Sequence, residues 1–161
     1  MKILGVDPGL ASTGVVVIES GEYLKLLHKE VIRTRPEQST PARLGIIAEG
    51  LEGVIQDHHP DLLGLETAFV RRDTPQSGLS LGKVMGVILL TVHRKKLDLI
   101  EVTPREVKET LTGYGNASKE QMGRAVAKNL KLSEPLKPSH VTDAAAVALT
   151  AASIVATLGK R

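Results

Sequence analysis

The feature that most constrains this chain is a carboxylate at the end of its first apolar strand. Residues 3–6 form a short apolar run that ends on Asp7, and Pro8-Gly9 turns the chain into a second run at residues 15–18. Two such runs around a Pro/Gly turn indicate adjacent antiparallel strands. Burying a carboxylate there is costly unless it is hydrogen-bonded, paired or bound to a metal. Asp7 therefore either caps the turn or is a metal ligand whose partner carboxylates come from later in the chain.

A second strand ends on an acid in the same way. Residues 23–32 are apolar enough for a third strand, residues 42–57 carry apolar side chains at helical spacing, and the short strand 62–65 ends on Glu66. A strand, a helical crossover and another strand usually place the two strands parallel in one sheet. Their carboxyl ends then share an edge, so we expect Asp7 and Glu66 to converge on one ion. The alternative is that Glu66 is a loop carboxylate that follows a strand.

The last predicted helix, residues 140–158, is rich in Ala and carries two polar groups in its first turn. His140 and Asp143 are spaced i, i+3 and so share a face. Ser139 or Thr142 is the expected cap of this helix. The helix dipole alone favours an Asp in a first turn, but it does not explain why His140 lies on the same face.

The remaining segments complete an α/β pattern. We predict a fifth strand at residues 99–102 and helices at 79–97, 104–111 and 118–130, the second of these opened by the Thr103–Glu106 capping box. The predicted fold is a mixed five-stranded sheet, an antiparallel meander plus parallel strands, flanked by helices. A chain of 161 residues fits a single domain, 1–161, with a real core.

Charge is distributed unevenly along a chain whose formal net charge is only +3. Residues 71–128 hold 11 Lys and Arg against 6 Asp and Glu, and the rest holds 10 against 12. This asymmetry favours a basic face for a polyanion, although many globular domains show as much by chance. The chain has no Cys, which excludes disulfides and thiolate sites. We expect neither a signal peptide nor a membrane span, and hence a cytoplasmic protein.

Candidate nucleic-acid contacts lie in this basic region. Phe69 is the only Phe in a chain without Trp, and it lies beside Arg71 and Arg72 in a polar segment. It either stacks on a base or anchors its loop on the body of the protein. Lys108 and Lys119 flank the flexible loop 113–116 and are either phosphate contacts or solvated surface lysines. The predicted DNA-binding set is completed by two further residues, Lys83 and Tyr114.

The predicted helix at residues 79–97 carries apolar side chains on more than one face. Gly78, Gly82 and Gly86 recur along it at a spacing of four. Such a smooth ridge lets another backbone approach closely, and an unexplained helical Gly usually has a packing reason. We predict a two-fold homodimer with this helix in its interface. The alternative is that the ridge packs on another helix of the same subunit.

Four segments resemble the RuvC family of Holliday-junction resolvases, a branch of the ribonuclease H-like fold: GVDPGLASTG, LETAFV, VTPREVKETLTGYGNASKEQ and SHVTDAAAVALTAA. The resemblance implies that Asp7, Glu66, His140 and Asp143 are catalytic metal ligands. It also implies that Phe69 belongs to a junction-contacting loop and that Lys108 and Lys119 meet the DNA backbone. The implied partners are four-way junction DNA and the RuvA–RuvB branch-migration complex. Some family members have Asp where this chain has His140, so metal preference transfers least well.

The chemistry of the four residues agrees with that resemblance. Three carboxylates and an imidazole suit Mg²⁺ or Mn²⁺, and the imidazole makes Mn²⁺ more favourable. Two such ions roughly 3.5–4 Å apart support phosphodiester hydrolysis. His140 could instead act as a general base. The alternatives are a non-catalytic junction-binding module and an actin- or sugar-kinase-like ATPase, which shares an opening Asp-x-Gly strand but needs a second domain and a second phosphate hairpin.

Overall fold

The structure, a computed structural model, describes residues 1–67 and 75–159. Three strands form the antiparallel meander: β1 (Lys2–Asp7), β2 (Ser12–Ser20) and β3 (Leu24–Arg33). Two further strands run parallel to β1 on its other side, β4 (Leu62–Glu66) next to it and β5 (Asp98–Val102) beyond. The order in the sheet is β3-β2-β1-β4-β5, which confirms the predicted mixed five-stranded sheet.

Five helices flank the sheet: α1 (Thr40–His58), α2 (Pro75–Lys95), α3 (Pro104–Thr112), α4 (Lys119–Asn129) and α5 (Ser139–Leu158). Helix α2 begins at Pro75 rather than at residue 79, because a proline at the first helical position has the backbone angle that a helix needs. It ends at Lys95 rather than at residue 97. Lys96 takes a left-handed conformation with φ 55°, and the Leu97 N–H bonds back to the Val92 carbonyl at 3.1 Å.

Of the helix caps predicted for α3 and α5, the first is confirmed and the second is wrong. The capping box of α3 is confirmed: Glu106 N–H donates to the Thr103 hydroxyl at 3.2 Å, and Thr103 N–H donates to the Glu106 carboxylate at 2.7 Å. The prediction for α5 is wrong, because its N-cap is Pro138 and no side chain caps it. Thr142 instead donates its hydroxyl to the Leu136 carbonyl at 2.7 Å, which ties the preceding linker to the helix.

The sheet separates two apolar cores. On one face, α5 packs across β1 and β2, with α3 and α4 covering its outer side. On the other face, α1 and α2 pack together over the sheet. Since a Cβ on Gly5 of β1 would lie 2.1 Å from the Ala144 carbonyl oxygen, only glycine allows α5 to pack this close to the strand. This contact brings the first turn of α5 close to the end of β1.

Helix α5 is the one apolar helix of membrane-spanning length among the described residues. By length and composition it could cross a bilayer, but most of its apolar stretch is buried in the protein. An Ala-rich helix that packs on both a sheet and two other helices has the same apolar composition for a different reason.

Candidate active site

Asp7 and Glu66 lie at the ends of neighbouring parallel strands. Val6 of β1 is in register with Leu65 of β4, so the two acids follow one residue later on both strands. Gly5 and Gly64, two residues earlier on each strand, both face α5. Side chains alternate along a strand, so Asp7 and Glu66 face α5 as well.

His140 reaches Asp7 because β2 carries a glycine at the right position. Gly14 lies opposite Asp7 in the β1–β2 ladder, and a Cβ there would lie 2.0 Å from the His140 carbonyl oxygen. With glycine at this position, the first turn of α5 settles directly on β2. His140 Nδ1 then lies 2.7 Å from Asp7 Oδ2.

Asp143 completes a cavity of about 290 Å³ at this edge of the sheet. Asp7, Glu66 and Asp143 line it together with Lys108 and Lys119, and its apolar wall includes Val107 and Met122. His140 lies beside this cavity and is hydrogen-bonded to Asp7. The strand ends and the closing helix therefore bring the three predicted acids to one open site.

The carboxylates are held where their charged forms are disfavoured. Burial, together with the charges of Asp7 and Asp143, raises the pKa of Glu66 to about 7, and Lys108 opposes them. Burial also raises the pKa of Asp7, against the hydrogen bond from His140. The pKa of Asp143 is raised by burial too, with Lys119 as the main opposing charge. Burial is the largest cause in all three cases, so the partly dehydrated cavity favours the protonated carboxyl groups over the carboxylates.

The four predicted ligands are not preassembled as a metal cluster. In the part of the chain that the structure describes, no three His, Asp or Glu side chains lie close enough together to hold a metal ion as they stand. The donor chemistry nevertheless fits a divalent cation that prefers oxygen, because three carboxylates face one open cavity. Because like charges repel, carboxylates at such a site converge only around a cation.

Comparison with known proteins identifies the family. Residues 3–151 match the family model described as crossover junction endodeoxyribonuclease RuvC. The chain belongs to the RuvC family. The crossover junction endodeoxyribonuclease RuvC of Prosthecochloris aestuarii is 45% identical over 150 residues, which cover 92% of this chain and 80% of that one.

Solved structures agree in fold. The RuvC of Thermus thermophilus in complex with a Holliday junction substrate superposes with a TM-score of 0.91 at 31% identity, covering 99% of this chain and 96% of that one. The yeast mitochondrial Holliday junction resolvase has a TM-score of 0.72 at 14% identity, covering 98% and 80%, and so shares the fold. The ribonuclease H-like fold predicted for this chain is confirmed.

The predicted DNA contacts of this RuvC-family chain are dispersed. Lys108 and Lys119 line the carboxylate cavity. Lys83 is exposed on α2, and Tyr114 is exposed in the loop between α3 and α4, so both lie outside that cavity. Three others fall outside the described residues: Phe69, Arg71 and Arg72.

Sequence reasoning missed the network that holds the turn after Asp7. Thr34, at the end of β3, donates its hydroxyl to the Leu10 carbonyl at 2.6 Å and accepts a hydrogen bond from Arg43 Nε at 2.8 Å. Its own N–H donates to the Ala11 carbonyl at 3.1 Å. Across the turn, buried Thr13 donates to the Gly9 carbonyl at 2.8 Å. No sequence pattern marks Thr34, because the Leu10 carbonyl that it contacts lies 24 residues earlier in the chain, before β2.

Proposed function

We propose that this chain is a structure-selective endodeoxyribonuclease that resolves four-way DNA junctions. The observation that carries the proposal is the cavity that Asp7, Glu66 and Asp143 share with Lys108 and Lys119, in a chain of the RuvC family. Carboxylates suit a cation-assisted phosphodiester hydrolysis, and lysines at the same opening attract the phosphate. The names of the relatives support DNA junctions as the substrate class.

We infer that the residues Asp7, Glu66, Asp143 and His140 act together on Mg²⁺ or Mn²⁺, with two ions per site. A divalent cation bound there would polarise the phosphodiester and supply hydroxide at neutral pH. The three carboxylates provide hard oxygen ligands, and a bound cation would stabilise the ionised forms that burial disfavours. When the Nδ1–H of His140 donates to ionised Asp7, Nε2 keeps its lone pair. His140 can then serve as a ligand, a proton acceptor or both.

The two lysines of the cavity, Lys108 and Lys119, lie near different pairs of acids. Lys108 faces Glu66 and Asp143, and Lys119 faces Asp7 and Asp143, so each lies where the phosphate beside the acids must pass. Two residues on other surfaces, Lys83 and Tyr114, are proposed contacts for more distant parts of the junction. Phe69, Arg71 and Arg72 remain proposed contacts on the basis of the sequence.

A homodimer through α2 fits the described surface. Val84, Ile88 and Val92 of α2 are buried, whereas Leu79 and Leu90 on another face are 58% and 48% exposed. Gly82 and Gly86 lie on that exposed face, and a Cβ on either would meet no atom within 4 Å. This open space favours the dimer over the alternative, in which the ridge packs on another helix of the same subunit. A second copy that covers this face would also supply the second active site that two symmetric cuts require.

Lys83 lies three residues before Gly86 and seven before Leu90, so it shares the exposed face of α2. In the proposed dimer it would lie close to the interface, and we propose it as a contact for the junction there. By family relationship we also propose the RuvA–RuvB branch-migration complex as a partner and the cytoplasm as the location.

The test is cleavage of a synthetic four-way junction beside a linear duplex of the same sequence, with Mg²⁺, with Mn²⁺ and with EDTA. We expect cleavage of the junction alone, and only with a divalent ion. Asp7→Asn should reduce cutting to the level without protein and leave junction binding intact, because the change removes negative charge from the site. The matched control is Asp98→Asn, a change at an exposed acid at the opposite end of the sheet. Cutting in EDTA, or normal cutting by Asp7→Asn, would contradict the proposal.

A further inference from the structure

A second cavity, of about 330 Å³, adjoins the candidate active site between α4 and the linker that precedes α5. We call it the linker groove. It shares Lys119 and Asp143 with the carboxylate cavity, so one wall separates the two. The other residues that line the groove are Glu120, Gly123, Pro135, Leu136, Lys137, Ser139 and Thr142. Its volume lies at the lower end of the roughly 300–1,000 Å³ typical of ligand pockets.

The inner walls of the linker groove are apolar. Gly123 presents no side chain, and a Cβ there would lie 3.4 Å from Pro135 Cβ. The hydroxyl of Thr142, another lining residue, is already donated to the Leu136 carbonyl. None of the described lining residues is aromatic or an amide, so the groove offers neither a stacking platform nor a bidentate reader of base edges. Such walls suit a deoxyribose.

The rim of the groove carries the charge that a phosphate needs. Lys119 lies at one side and exposed Lys137 at the other. The acid nearest to Lys119 in sequence, Glu120, is ion-paired with Arg124, so its charge is locally compensated. Asp143 stands on the side of the carboxylate cavity, where the proposed cation would neutralise it. With Glu120 paired in this way and Asp143 beside the proposed cation, Lys119 and Lys137 are the lining charges that can attract a phosphate.

We propose that the linker groove binds the sugar and phosphate of the nucleotide adjoining the scissile phosphate, with Lys137 as the phosphate contact. This inference rests on the proposed function. Successive nucleotides of one strand advance by only about 3.4 Å along a duplex axis. With a scissile phosphate at the three carboxylates, the adjoining nucleotide is therefore close enough to reach the wall that Lys119 and Asp143 form between the two cavities. The contact is independent of sequence and holds the cut strand in position.

The first test is Lys137→Ala, with binding of a four-way junction measured in EDTA over a range of salt concentrations. Losing one phosphate contact should weaken binding roughly fivefold and make the slope of log K against log[salt] shallower by about one, with no sequence dependence. The matched control is Lys25→Ala. Lys25 is an exposed lysine of β3, and its ladder partner Glu19 lies opposite Lys2 at the end of β1 remote from Asp7. A slope that changes equally in both variants, or in neither, overturns the proposal.

The second test fills the groove. Gly123→Leu should lower kcat/KM for junction cleavage about tenfold with little change in thermal midpoint, whereas Gly53→Leu, at a helical glycine of α1 whose Cβ would meet no atom within 4 Å, should stay within about twofold of wild type. Wild-type kinetics for Gly123→Leu contradict the proposal. If that variant unfolds, the salt slope of Lys137→Ala decides alone. A wild-type chain that binds the junction without cutting it counts against the proposed function, whereas a wild-type chain that cuts beside unaffected variants counts against the groove.

Discussion

His140 Nδ1 lies 2.7 Å from Asp7 Oδ2, although the two residues are 133 positions apart in the chain. The bond ties the first turn of α5 to the end of β1, and glycine at position 14 leaves room for it. It joins the two ends of the chain at the one edge of the sheet where the other two acids also lie. Folding of the site therefore depends on the closing helix as much as on the strands.

Replacing this imidazole by a fourth carboxylate should separate its two proposed roles. His140→Asp places another negative charge beside Asp7, whose pKa burial already raises. We expect the metal-free protein to lose about 1–2 kcal/mol of unfolding free energy at pH 8, or roughly 2–8 °C in midpoint, and to recover it when Mg²⁺ is added. Cleavage should persist with an altered Mg²⁺ and Mn²⁺ preference. His140→Asn, which adds no charge, is the matched control. Equal metal-free stability of the Asp and Asn variants would contradict the charge argument.

The stability of the metal-free protein should depend on pH through Glu66. Its pKa is about 7 in the folded chain against 4.5 for the free group, so the folded state holds the proton more tightly. The resulting contribution of Glu66 to the free energy of unfolding is fully present below about pH 4.5 and is lost as the pH rises through 7. After allowance for solvent screening, we expect about 1–2 kcal/mol less stability at pH 8 than at pH 5. Thermal unfolding in EDTA measures it.

The variant Glu66→Gln should flatten that pH dependence, and Glu49→Gln, at an exposed acid of α1, should leave it unchanged. Saturating Mg²⁺ should flatten it in the wild type as well, because a bound cation takes the place of the proton. A wild-type pH profile for Glu66→Gln would assign the dependence to other groups.

The turn after Asp7 should depend on the Thr34 hydroxyl. Thr34→Val preserves the side-chain shape but leaves the Leu10 carbonyl and Arg43 Nε without this partner. We expect a loss of about 1–3 kcal/mol in the free energy of unfolding. Thr34→Ser retains the hydroxyl and should cost less. Urea unfolding of the two variants compares them directly, and equal costs would assign the effect to packing.

The exposed glycine ridge of α2 should control the oligomeric state. Gly82→Leu places a bulky side chain on the proposed interface, where the isolated chain has open space. We expect a folded monomer that makes single nicks at best. Gly53→Leu is the matched control, because Gly53 of α1 is also a helical glycine with no atom within 4 Å of a Cβ. For both variants, sedimentation velocity measures the oligomeric state and circular dichroism shows whether the chain is folded. A dimeric Gly82→Leu would move the interface to another surface.

Local patterns in the sequence were sufficient for the elements and for the acids at the strand ends. Apolar runs that end on Asp7 and Glu66 identify two strands, and the helical period between them makes those strands parallel, so a shared edge follows from chain connectivity. The Thr103–Glu106 capping box is likewise local, because both partners lie within one turn of helix. The four segments that resemble the RuvC family are local patterns too, and they were sufficient to indicate the family.

Tertiary structure decided what depends on partners distant in sequence. The His140–Asp7 bond requires α5 to settle on Gly14, and the Thr34 network requires β3 to return beside the first turn. The cap of α5 was predicted wrongly because Thr142 bonds to a linker carbonyl whose position depends on the packing of that linker. The linker groove also forms only when α4 and the linker that precedes α5 pack next to each other. These contacts form between elements, and residue type along the chain does not reveal which elements will meet.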